Sequence, residues 1–142
     1  MPVVSLNQVM VSVVDHNSHM LWNVALDEYA PATETDWHEL EHAAVTLAVA
    51  GNTILAGGSG RDDAAWPKKP EWAALTQKQT DAALEALLAI NRKDRDALLA
   101  AGDKLTEACD SCHYQYKDEI PSIVATPKQQ PEHFYRGRGK QK

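Results

Sequence analysis

The only two cysteines in the 142-residue chain stand three positions apart and are followed at once by a histidine, in Ala108-Cys109-Asp110-Ser111-Cys112-His113. A C-x-x-C-H run is the signature of covalent haem c attachment, in which each thiol forms a thioether to one vinyl group and the imidazole ligates the iron. On a helix Cys109 and Cys112 are i and i+3, and Cys109 and His113 are i and i+4, so all three project from one face. One short segment would then fix both the cofactor and its proximal ligand.

Three other readings of the cysteine pair compete: a thioredoxin-like redox dithiol, half of a zinc site, and a disulfide. The first requires a strand before the first cysteine in a βαβ pattern, and no such strand precedes Cys109. The second requires further ligands, for which the sequence offers only scattered histidines. One covalent haem c is therefore the expected cofactor.

Composition bounds the rest. The length suits a single domain with a real core. A formal charge of −6 argues against nucleic acid as a partner and supplies no polybasic membrane anchor over the folded part. Aromatic residues are only 6% and alanine is abundant, which favours helices over sheet. No run reaches the roughly 18 to 20 apolar residues of a membrane helix. No export signal is recognisable at the start, yet haem c attachment belongs outside the bacterial cytoplasm. Met1-Pro2 is accordingly read as the start of a mature or recombinant form whose signal has been removed, and the protein as periplasmic.

Four amphipathic segments must position the motif. Residues 5–29 carry Leu6, Val9, Met10, Val13, Met20, Val24 and Ala25 at three- and four-residue spacings, which predicts one long helix capped by Ser5 and ended by Pro31. The polar run over residues 15–19 interrupts that stripe. A second helix is expected over residues 36–55, capped by Thr35, with Trp37, Leu40, Ala44, Leu47, Ala48, Gly51, Ile54 and Leu55 inward. Gly51 there is either a tolerated glycine or a point of close approach for a neighbouring helix or a flat cofactor. Residues 57–70 hold Gly57, Gly58, Gly60, Pro67 and Pro70 and read as the crossover loop. A third helix is expected over residues 71–91, and a fourth over residues 95–119 bearing the haem motif. The predicted fold is all-α, a four-helix up-down-up-down bundle with haem c near one end. The domain spans residues 1–120, and residues 121–142 form an extension packed outside or partly disordered.

A C-x-x-C-H on the last of four helices, in residues 100–105 (Ala-Ala-Gly-Asp-Lys-Leu) and 108–117 (Ala-Cys-Asp-Ser-Cys-His-Tyr-Gln-Tyr-Lys), resembles the class II c-type cytochromes. These are cytochrome c prime and its low-spin, methionine-ligated relatives. The resemblance covers about residues 5–120 and is specific at the haem motif. It implies a periplasmic bundle, one haem c, His113 as proximal iron ligand, a distal side formed by the first helix, and a homodimer as one assembly to expect. In cytochrome c prime an apolar side chain leaves the iron five-coordinate and open to small gases; in the low-spin relatives a first-helix methionine fills the site.

His113 lies about six residues before the end of its helix, opposite the early first helix. Met10 is in that zone and is the primary distal candidate. Met20, about 15 Å further along, reads as core, while His16 and His19 can ligate if the helix is shifted by one or two turns. Trp22, Trp37, Trp66 and Trp72 read as core or haem-edge packing. Arg61, Lys68, Lys69 and Lys117 are candidate propionate partners with surface charge as their default; His38, His42 and His133 read as exposed. No catalytic constellation of an enzyme can be defended. The expected function is one-electron transfer with redox partner proteins. The alternatives are a five-coordinate haem protein that binds NO or CO, and a thiol or zinc protein without haem.

Overall fold

The first helix begins where Ser5 and Gln8 exchange hydrogen bonds: the Gln8 amide donates to Ser5 Oγ at 3.2 Å, and Ser5 N–H donates to Gln8 Oε1 at 2.9 Å. This reciprocal cap satisfies two amides that have no partner inside the helix. In the computed structural model, which describes residues 2–116, the rod that follows has three parts. They are α1 (Leu6–Val9), a π-helical turn (Met10–Val14) and α2 (Asp15–Trp22). The backbone N–H of Asp15 reaches back five residues to the Met10 carbonyl. A π turn inserts one extra residue, and burial records it. Leu6 and Val9 are followed inward by Val14, Ser18 and Leu21.

That insertion changes two expectations. The polar run over residues 15–19 does not interrupt the inner face, because Ser18 and His19 are turned into it; Leu21 is core, whereas Met20 is half-buried. The rod also ends at Trp22 and not at Tyr29, giving way to two 3₁₀ turns, Asn23–Ala25 and Asp27–Tyr29, separated by an extended Leu26. The Arg95 guanidinium accounts for the early end. It donates to the Val24 carbonyl from Nε (3.2 Å) and Nη2 (2.9 Å), so that acceptor serves a neighbouring helix instead of a continuing one.

Helix α3 (Glu34–Ala56) is capped by Thr33, not Thr35: Thr33 Oγ1 accepts from Asp36 N–H, and Asp36 Oδ2 accepts from Thr33 N–H. The box needs an acceptor three residues beyond the cap, and Thr33 with Asp36 supplies that spacing. Gly57 then ends α3 at φ +84°, where an added Cβ would lie 2.6 Å from the Asp63 carbonyl oxygen. After a loop containing the 3₁₀ turn Trp66–Lys68 come α4 (Trp72–Asn91) and α5 (Arg95–Tyr116). Lys93 at φ 53° makes the tight reversal between them, and Asp94 Oδ1 caps the Ala97 amide at 3.0 Å.

The four rods pack in sequence as an up-and-down bundle, α3 against α4 and α4 against α5, with the first rod between α3 and α5. Antiparallel register is visible in single bonds. Trp72 Nε1 donates to the Ile54 carbonyl (3.2 Å) and Gln79 Nε2 to the Leu47 carbonyl (3.0 Å) across α3 and α4; Trp22 Nε1 donates to the Gly102 carbonyl (3.1 Å) across the first rod and α5. Leu40, Leu47, Leu98 and Leu105 fill the centre, and a run of buried alanines in α3 and α4 lets those helices approach closely. Gly51 belongs to that contact. An added Cβ there would meet Thr80 Oγ1 at 2.0 Å, so the close approach is by α4. Leu55, expected inside, is 43% exposed.

The crossover loop carries one buried carboxylate. Asp63 Oδ2 accepts from the Leu6 amide and from the Gly60 amide, both at 2.7 Å, tying the loop to the start of the first rod. Among the described residues no helix is long and apolar enough to cross a membrane. Lys117, His133 and the proposed extension over residues 121–142 lie outside the described residues.

Candidate haem-attachment site

Cys109, Cys112 and His113 sit near the end of α5, each half-buried, and the two thiols pack against the edge of the core, as Met10, Val13 and Tyr116 also do. Helical periodicity does this: Leu98, Ala101, Leu105 and Ala108 form the buried line of α5, and Cys109 and Cys112 continue it toward the C-terminal end. Both cysteines are free thiols. Burial pushes the Cys109 thiol from its ordinary 9.0 up to about 12, helped by the negative charges of Asp110 and Asp15 and by Cys112. Burial raises Cys112 as well.

This electrostatic setting separates the chemistries open to the pair. A redox dithiol or a zinc knuckle uses thiolate, and its surroundings lower the thiol pKa. Here two carboxylates flank Cys109 and low polarity surrounds it, which favours a neutral sulfur. A thioether is neutral, so these residues would suit covalent haem better than thiolate chemistry. Among the described residues, no three His, Cys, Asp or Glu side chains converge as a metal-binding group.

The first rod runs antiparallel to α5 across this region. Val24 meets Arg95, Trp22 meets Gly102, and Asp15 acts on Cys109. Beyond Asp15 in the same direction lies the N-terminal part of the rod, with Met10, toward the end of α5 that carries His113. Met10 is half-buried against the core and opens the π turn. His16 and His19 lie six and nine residues beyond Met10, about 9 Å and about 13 Å along the rod at 1.5 Å per residue. His19 is engaged besides: it is 8% exposed, its Nδ1 is 2.9 Å from the Asp15 carbonyl oxygen and 3.4 Å from Asp15 Oδ1, and its ring packs edge-on to Trp22.

Comparison with protein-family models, with curated proteins and with solved structures returns no match.

Beyond Cys112 the end of the bundle is aromatic. Tyr116 packs edge-on to Trp72 with centroids 4.8 Å apart, and Trp66 lies 5.7 Å from Trp72 and 6.0 Å from Tyr116. Trp72 is fully buried and Trp66 half-buried, while Trp22 serves α5 as a hydrogen-bond donor. Two features escaped the sequence reading. The π turn was signalled only by an apolar stripe that resumes one residue out of phase. Asp15, which faces Cys109 and holds His19, lay inside a polar run that looked solvated. The two shallow concavities of about 330 and 300 Å³ lie elsewhere, on the α3 and α4 surface.

Proposed function

We propose that the protein is a monohaem c-type cytochrome of the periplasm that carries single electrons, with Cys109 and Cys112 as thioether anchors, His113 as proximal iron ligand and Met10 as distal ligand. What supports this reading is a C-x-x-C-H triplet near the end of α5, with both thiols at the edge of the core, and a half-buried methionine on the rod that packs against α5. Bound haem c supplies a one-electron couple at iron, tuned by its axial ligands and by burial.

The chain's own groups serve that couple in distinct ways. Cys109 and Cys112, one helical turn apart, hold neutral sulfur against the core. His113 presents its imidazole from the same turn. Met10 offers a polarizable thioether from the other side, which favours the reduced state relative to a second imidazole. The packed bundle around them limits reorganisation between oxidation states.

The test is the protein matured in a host that attaches haem c. Colour that stays with the polypeptide after denaturation, and is lost in the Cys109→Ala and Cys112→Ala double variant, supports attachment. A sharp low-spin α band in the reduced protein supports electron transfer. Broad high-spin bands overturn the carrier in favour of an open, gas-binding iron; absence of any Soret band overturns both.

A further inference from the structure

On the outer face of α3, away from the haem motif, His38 and His42 stand one helical turn apart with ring centroids separated by 4.2 Å at an interplanar angle of 60°. Two imidazoles that share one ion at metal–nitrogen distances of about 2.0–2.1 Å place their centroids about 4.5–5 Å apart. The pair therefore needs only a small opening of side-chain torsions to chelate. Both rings are exposed, and the helix beneath them is regular, with Thr46 Oγ1 donating to the His42 carbonyl at 2.7 Å.

Glu41 supplies the second observation. Its Oε2 lies 3.1 Å from His38 Nδ1. A carboxylate at that nitrogen favours the tautomer with the proton on Nδ1, which leaves the Nε2 lone pair for a metal ion. Metal-ligating histidines characteristically give their other ring N–H to a carboxylate, which fixes the ring and raises its basicity. His38, Glu41 and His42, with Val45 and Thr46, also line the 330 Å³ concavity. No third His, Cys, Asp or Glu completes a metal-binding group among the described residues, so a bound ion would keep water at its remaining positions.

We propose that His38 and His42 form a bidentate surface site for a divalent transition ion of the imidazole-preferring class, Cu²⁺ bound more tightly than Ni²⁺ or Zn²⁺, with Glu41 as a positioning residue for His38. The site is independent of the haem reading, since neither imidazole takes part in it.

Equilibrium dialysis of the full chain against Cu²⁺ and Ni²⁺, with Mg²⁺ as control, tests the site; any fraction with free thiols is alkylated first. One ion per chain is expected, with two nitrogen couplings in the copper paramagnetic resonance spectrum and no Mg²⁺ uptake. His38→Ala and His42→Ala should each weaken binding by about 10- to 100-fold, because each converts a chelate into a single contact. Glu41→Gln should weaken it less while keeping both nitrogens, and circular dichroism checks that the helices persist. An affinity unchanged in either histidine variant, or a spectrum with one nitrogen, overturns the proposal.

Discussion

Replacing Met10 by alanine removes the proposed distal thioether, and the proposed ligation then requires a shift from low-spin to high-spin bands with a lower midpoint potential. His19→Ala is the contrast: His19 is buried and held by Asp15, so its loss should leave the spectrum low-spin. Absorption and redox titration of both variants check the pair. Cys109 carries a second prediction, for the haem-free chain. Its folded thiol keeps its proton to about pH 12, whereas an unfolded thiol loses it near 9.0. Between those values the unfolded state binds fewer protons, so stability falls as pH rises from 9 toward 12. Thioethers do not titrate, so the haem-attached protein should lack that component; urea midpoints of the two forms across this window decide it. Of the site residues, Cys109, Cys112 and His113 were legible at once, because their chemistry is written in adjacent positions. Asp15 was not, since its role depends on a helix more than ninety residues away.

The π turn shows why helix patterns mislead about phase. Leu6 and Val9 are buried before it, and Val14, Ser18 and Leu21 after it. Deleting Val11, which is 60% exposed, should remove the extra residue and allow a continuous α-helix in which Leu6 and Val9 stay on the same inward face as Val14, Ser18 and Leu21. Both aliphatic side chains stay buried, so the thermal midpoint should change little, while the altered turn disturbs Met10; thermal melts and the haem spectrum report the two effects separately. Existence and order of the helices followed from periodicity, and so did the caps that local residues make, as with Ser5. The end of the rod at Trp22 did not, since Arg95 takes the Val24 carbonyl from across the bundle. Thr33 was a local signal read two residues late: Asp36 had been taken as the start of the helix when it is the far member of the box.

At the scale of the whole molecule, the crossover loop closes the bundle through Asp63, whose carboxylate takes the Leu6 and Gly60 amides. Asp63→Ala should cost about 1–3 kcal/mol by leaving a buried amide unpaired, and hydrogen exchange should show the loss first at the N-terminal end of the first rod. The sequence by itself determined an all-helical chain, the order of four helices, and a thiol–thiol–imidazole triplet on one helical face, because each of these is set by neighbours within a turn or two. Only the tertiary structure decided that the two thiols lie at the core edge, that burial, with Asp110 and Asp15, raises the Cys109 pKa, that Gly51 yields to Thr80, and that His19 is buried and held by Asp15. Those outcomes depend on register between helices distant in the chain, and register is set by packing, to which a single π turn adds a residue that no local pattern reveals.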